Sequence, residues 1–158
     1  MVHIRRADAD DLPAVDALIR ATAPEATPLP PEDYPESFVA RTQPEDLFVA
    51  IQDNEVVGVV KLGRPSPMAS NAHVLSIAGL AVDPQQQGRG VGRSLLAAAV
   101  DEAKSRGARR LTLHVLGRNA GARSLYSSLG FVVEGVLREE FLLDGEYVDD
   151  VLMALALT

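Results

Sequence analysis

Apolar and polar positions along this chain alternate between two periods, and the switches mark its elements. "VHIRRA" near the start reads as a short strand. After it, Leu12, Val15, Leu18 and Ile19 recur at helical spacing. Asp10 or Asp11 can cap that helix, and Pro13 is tolerated in its first turn. The proline-rich "APEATPLPP" (residues 23–31) predicts a loop, the best candidate for a movable wall, running into a short second helix over about residues 34–41. "LFVAI" and "EVVGVVKLG" are β-rich runs separated by "QDNE", a hairpin connection. "RPSPMASNA" is a polar loop, and "HVLSIAGLAV" is a long apolar strand that ends at Asp83-Pro84. Beyond a glycine-rich stretch, Leu95, Leu96, Ala99, Val100 and Ala103 form the apolar face of a helix ended near Gly107. "RRLTLHVL" predicts another strand, and Ala122, Leu125, Tyr126 and Leu129 a helical stripe with Gly130 as its stop. The tail "FVVEGVLREEFLLDGEYVDDVLMALAL" reads as two long strands joined at Asp144-Gly145, a strong hairpin dipeptide. The order β-α-α-β-β-β-α-β-α-β-β predicts an α/β fold with a mixed sheet. With no internal repeat or interdomain linker, residues 1–158 are expected to form a single domain.

Composition narrows the function classes. A chain of 158 residues can bury roughly two-thirds of its unfolded surface. Its 47% hydrophobic content is that of a globular protein. No apolar run approaches the roughly 20 residues of a bilayer span, and "MVHIRRADAD" lacks the apolar core of a secretory signal. A cytoplasmic location with no membrane partner is the expectation. Cysteine is absent, which excludes disulfides, thiolate zinc sites and a Cys nucleophile. The formal charge of −7 disfavours nucleic acid, whose binding depends on many Lys and Arg contacts to phosphate.

The stretch "VDPQQQGRGVGRSLLAAAV" carries the candidate chemistry. Glycines let successive N–H groups converge on an anion, and a helix starting at Gly90 or Gly92 adds its positive end. Arg89 and Arg93 add full charges at the rim. A P-loop does not fit, because Gln87 stands where the first Gly belongs and Arg93 where the Lys belongs. The dinucleotide fingerprint fails too, with Arg93 at its third glycine.

A third pattern fits. Gln87-Gly88-Arg89-Gly90-Val91-Gly92 matches Q/R-x-x-G-x-G/A and resembles the acyl-CoA pyrophosphate loop of the GNAT-type N-acetyltransferases. "GLAVDPQQQGRGVGRSLL" is similar to the fourth strand and third helix of that family, and "LTLHVLGRNAGARSLYSSLGF" to its fifth strand and fourth helix. "EGVLREEFLLDGEYVDDVLMAL" resembles the closing hairpin of members that acylate amino acids or protein amino termini. These pieces span about residues 74–157. The resemblance implies a single-domain fold with a mixed, mostly antiparallel, seven-stranded sheet flanked by about four helices.

What the resemblance implies for chemistry is transfer of an acetyl group from acetyl-CoA to a primary amine by direct attack in a ternary complex, with no metal. Backbone groups of Leu80, Ala81 and Val82 would meet the pantetheine arm and thioester, one N–H polarising the carbonyl. The amides from Gln87 through Gly88, Arg89, Gly90 and Val91 to Gly92, with Arg93 and Ser94, would hold the pyrophosphate. Asn119 matches the family's asparagine on the pantetheine arm, and Arg123, one helical turn further on, is expected to reach the cofactor or the substrate. Tyr126 matches the tyrosine that protonates the leaving thiolate; a phenol near pKa 10 stays protonated at neutral pH. Many members carry a glutamate on the fourth strand, but "HVLSIAGLAV" has none. The ribosomal-protein amino-terminal acetyltransferases, which this chain also resembles, place a glutamate twelve residues before the tyrosine. Here that position is His114, a residue type whose ordinary pKa near 6.5 suits base work. Strand alternation puts it on the face of Thr112, opposite Leu111, Leu113 and Val115. His73 is the reserve base, and a water chain is the third option.

Acceptors in this family usually sit between the first two helices and the last hairpin. Glu25, Glu32, Asp33 and Glu36 lie in the first region, and Glu139, Glu140, Asp144, Glu146, Asp149 and Asp150 in the tail, most of them expected as solvated surface. The tail leans towards amino-acid or peptide-amine acceptors, polyamines and aminoglycosides remain open, and relatives often form homodimers through these strands. The rival readings are a non-catalytic acyl-CoA-binding regulator, against which Tyr126 and Asn119 count, and a nucleotide-phosphate protein.

Overall fold

The computed structural model describes residues 1–26 and 42–158, without the side chains of residues 23–26. Its strands are β1 (His3–Arg6), β2 (Leu47–Gln52), β3 (Glu55–Gly63), β4 (Val74–Val82), β5 (Arg110–Leu116), β6 (Val132–Leu143) and β7 (Glu146–Ala156). The α-helices among the described residues are α1 (Leu12–Ala26), α2 (Val91–Ser105) and α3 (Ala120–Ser128). The helix expected at residues 34–41 lies outside the described residues. So does the remainder of the proline-rich loop, with Glu32, Asp33, Glu36 and the side chain of Glu25. The loop is shorter than expected at its front, because α1 continues through Pro24 to Ala26; a proline there removes a single helical hydrogen bond.

Local chemistry sets the element ends. Asp8, rather than Asp10 or Asp11, starts the first helical stretch. Its Oδ1 accepts from the Asp10 amide at 2.9 Å, while Asp11 Oδ2 accepts from the Asp8 amide at 2.9 Å, a reciprocal capping box. The β2–β3 hairpin turns through Asp53 and Asn54, both at positive φ, and the β6–β7 hairpin through Asp144 and Gly145 in the same way.

The strands lie in the order β1-β2-β3-β4-β5-β7-β6, and among the described residues β4–β5 is the one parallel pair. Each face of the sheet has its own core. On one side Leu95, Leu96 and Ala99 of α2 and Tyr126 of α3 pack with Val60, Leu62, Ile77, Leu113 and Met153. On the other, Val15 and Ile19 of α1 pack with Val49, Val59 and Ala81. A bulge at Ala78 reverses the phase of β4, so that Leu75 and Ile77 face the α2 side before it and Ala81 faces the α1 side after it. Gly58 lets α2 lie close on β3: a Cβ there would stand 2.9 Å from Leu95 Cδ1 and 3.0 Å from Val91 Cγ1.

The consequential feature is a gap in the sheet. β4 and β5 pair at Val74↔Arg110, Leu75↔Leu111 and Ser76↔Thr112 and then no further. Both strands continue, to Val82 and Leu116, without each other. Their carboxyl-terminal halves therefore border a wedge with unpaired backbone on both sides. Among the described residues no helix is long and apolar enough to cross a membrane.

Candidate active site

One wall of the wedge leads into the glycine turn. From Val82 the chain passes through a short turn in which Asp83 Oδ1 accepts from the Gln85 amide at 2.9 Å. It then enters α2 with Gly90 as the N-cap, at φ 83° and with no side-chain cap bond. Gly88 sits at φ 79°. A Cβ at either glycine would meet nothing within 4 Å, so both are required by backbone conformation and face open space. Gly92 differs: a Cβ there would lie 3.2 Å from Leu125 Cδ2, so this glycine serves the close approach of α2 to α3.

Among the described residues no backbone carbonyl accepts from the amides of residues 87–93. The Ser94 amide is already satisfied, donating to Gly90 O at 3.0 Å, which leaves Ser94 only its exposed hydroxyl for a ligand. Seven consecutive N–H groups at the positive end of a 15-residue helix form an anion-receptive turn. Arg89 stands exposed beside it. Arg93 turns away, with Nη2 donating to Ser128 Oγ at 2.6 Å, and so ties α2 to α3. The Gln87 side chain donates to Val82 O at 3.3 Å and occupies one carbonyl of the β4 end. Leu80, Ala81 and Val82 pair with β3 on one edge and border the wedge on the other.

The second wall is β5 and the start of α3. Asn119 caps α3, its Oδ1 accepting from the Ala122 amide at 3.2 Å, which leaves the side-chain NH2 free for a ligand. Arg123 folds back, donating from Nη1 to Gly117 O at 3.1 Å. Two turns into the helix, the ring of Tyr126 is 7% exposed and tilted against Phe131. It belongs to the core, as its stripe with Leu125 and Leu129 suggests. Its hydroxyl has no protein partner among the described residues and keeps contact with solvent. Burial raises the phenol pKa to about 12.

On the other face of the sheet, His114 projects from the unpaired half of β5, its side chain 64% exposed, while Leu111, Leu113 and Val115 enter the α2-side core. Its Nδ1 lies 2.8 Å from Asp150 Oδ2 on β7. The Asp150 side chain is 9% exposed. Asp150 is thus an exception to the solvated surface expected for most of the tail's acids. Alternation along β7 points it inward beside its register partner Leu116, and His114 covers it. In the neutral imidazole a carboxylate at Nδ1 favours the tautomer protonated there, which leaves Nε2 as an acceptor. Sequence reasoning did not single out Asp150, which stands diagonally across the β5–β7 pair from His114. His73 is not brought to the wedge. It precedes β4 at the opposite end of the strand, roughly 30 Å along the chain direction from Val82.

The chain matches the Acetyltransferase (GNAT) family over residues 12–131. It belongs to that family. It is 35% identical over 126 residues to a mycothiol acetyltransferase of Amycolatopsis mediterranei, a match covering 73% of this chain and 42% of that protein. It is 40% identical over 79 residues to a ribosomal protein bS18-alanine N-acetyltransferase of Salmonella typhimurium, covering 50% of this chain and 53% of that one. The chain thus spans about half the length of the curated relatives it matches. Its GNAT fold is also that of smu.2055 from Streptococcus mutans, with a TM-score of 0.90, 28% identity and 99% of each chain covered.

Proposed function

We propose that this protein transfers the acetyl group of acetyl-CoA to the primary amine of an amino acid, a polyamine-like small molecule or a peptide amino terminus, by direct attack in a ternary complex. One observation carries the reading: the unpaired halves of β4 and β5 combine a turn of free amides at one wall with an oriented imidazole at the other. The turn suits a diphosphate, and the gap between the strands suits the extended arm that follows it, which would hydrogen-bond the free strand edges and the Asn119 amide group.

The chemistry then divides across the sheet. A primary amine with a pKa of about 10.4 is free base in fewer than roughly one molecule in 10³ at pH 7. His114 Nε2, with Asp150 at Nδ1, takes the ammonium or attack-generated proton on the α1 side. The nitrogen lone pair forms the C–N bond at the thioester carbonyl, a β4 N–H stabilises the oxyanion, and the C–S bond breaks with the pair leaving on sulfur. Tyr126 meets that sulfur from the α3 side. Burial keeps the Tyr126 phenol protonated at neutral pH, so it can donate to the developing thiolate and protonate the leaving group. A second copy of the chain pairing along β6 fits the same reading, since Val132, Val136 and Leu142 of that edge strand are exposed.

The test is release of free CoA thiol from acetyl-CoA with a panel of amino acids, polyamines and short peptides, beside calorimetry with acetyl-CoA alone. Turnover with at least one amine is the expected result. Binding without transfer across the whole panel would favour the regulator, and the absence of binding heat would remove the reading altogether.

A further inference from the structure

Where β6 and β7 reach past the end of β5, an irregular bulge opens a cavity of about 380 Å³. Pairing jumps from Leu137↔Asp150 to Phe141↔Val148, so residues 138–140 stand opposite Asp149 alone. Glu139, in the middle, is at φ 52°, a conformation that a residue with a Cβ adopts at some cost. It is held there by its amide, which donates to Asp149 Oδ1 at 2.8 Å. Asp149 also accepts at its carbonyl from the Gly117 amide at 2.8 Å. Gly117 can approach because it has no side chain; a Cβ would stand 3.1 Å from Asp149 Cβ. The bulge and the β5–α3 connection are thus clamped together by one residue.

Three arginines are among the residues that line the cavity, Arg118, Arg123 and Arg138. Asp149 and Glu146 line it as well, yet none of the three arginines forms an ion pair among the described residues. Arg123 spends one N–H on Gly117 O, and among the described residues the side chains of Arg118 and Arg138 have no hydrogen-bond partner. In a chain of net charge −7, three cations gathered beside two carboxylates and paired with neither leave donors open to an added anion. The clamp explains half of it, since one oxygen of Asp149 is committed to the Glu139 amide. The lining shares no element with the glycine turn: it draws on the β5–α3 connection, α3, β6 and β7, whereas the turn belongs to β4 and α2.

We propose that this cavity is an anion subsite that receives a carboxylate or phosphate group, with Arg118 and Arg138 as its principal donors and Tyr147 as its outer wall. A guanidinium fork matches either group with two parallel N–H donors. The anion is carried by the amine acceptor or arrives as a separate small molecule. In the first case the proposal rests on the acetyltransferase reading; in the second it stands without it.

The test uses the full chain and the double variant R118Q/R138Q, both changes being at exposed positions. Inorganic phosphate and succinate are titrated calorimetrically at constant ionic strength. Acetyl transfer is measured with amine pairs that differ in one carboxylate, such as alanine and alaninamide. Binding of either probe to the wild type, weakened about tenfold or more in the variant, supports the subsite. If the variant also raises KM for the carboxylated amine about tenfold, with KM for acetyl-CoA unchanged, the anion belongs to the acceptor. An unchanged KM with weakened probe binding assigns it to a separate molecule. No heat with either probe, together with equal amine preference in both proteins, overturns the proposal. Should no amine turn over, the acetyltransferase reading fails and the titration alone decides the subsite.

Discussion

Tyr126→Phe removes one oxygen and leaves the ring packed on Phe131 as before, with centroids 5.8 Å apart. It should lower kcat by about 10- to 100-fold, as expected for one hydrogen bond to a charged transition state, with KM for acetyl-CoA nearly unchanged. Unaltered turnover in the thiol-release assay would strip Tyr126 of its role. The His114–Asp150 pair is tested by two changes. His114→Ala should abolish the acidic limb of the kcat/KM profile, since the imidazole must be neutral to accept a proton. Asp150→Asn should lower kcat by about tenfold, with partial recovery in Asp150→Glu. A limb that survives His114→Ala would move the base elsewhere. His114 was legible as a candidate from its position twelve residues before Tyr126. Asp150 was not, because its neighbours Asp149, Glu146 and Asp144 have the same composition and nothing local separates a buried acid from exposed ones.

The glycine turn and the ties of α2 belong to the scale of elements. Gly90→Ala places a Cβ at φ 83°, where the strain is roughly 1–2 kcal/mol, so either the turn deforms or the helix start shifts. KM for acetyl-CoA should rise several-fold, and kcat should move little at saturation; an unaltered KM would mean that the turn does not hold the donor. At the other end of α2, Glu102 anchors the helix to β1. Its Oε1 accepts from Arg6 at 2.8 Å and its Oε2 from Arg106 at 2.7 Å, and the Arg6 bond leads in holding its carboxyl below the ordinary value. Because the folded-state pKa is the lower one, this contribution is present above about pH 4.5 and lost as pH falls through the folded value. The arginines are partly exposed, so about 1 kcal/mol is the ceiling. Glu102→Gln should therefore lower Tm by about 2–4 °C at pH 7, with the gap closing as pH falls below the folded value. A gap that stays constant across that range would point to packing instead.

For the whole molecule, the sheet has one edge that invites a partner. β6 is a 12-residue edge strand with Val132 61% and Leu142 59% exposed. Its two irregular stretches break the ladder, so a second copy would meet it through side chains more than through a continuous extension of the sheet. Light scattering at micromolar concentration should give twice the 16.9 kDa of one chain, falling to one in Leu142→Lys. A mass of one chain for the wild type would end that expectation. Strand and helix positions were largely legible, since each apolar run or stripe appears where its period put it. The capping residue and the end of α1 were misplaced, because Asp8, Asp10 and Asp11 are equivalent until Arg5 selects Asp11.

By itself the sequence determined the element order, the amide-rich turn at the head of α2 and the placement of Tyr126 on a helical stripe. These follow from short-range rules: side-chain period, the backbone freedom of glycine and the orphan N–H groups of a helix start. Tertiary structure decided where β4 leaves β5, which acid lies under His114, that His73 stands at the far end of its strand, and that three arginines share one cavity. Each of those depends on register and twist between strands distant along the chain, and one residue of slip would turn every such side chain to the opposite face.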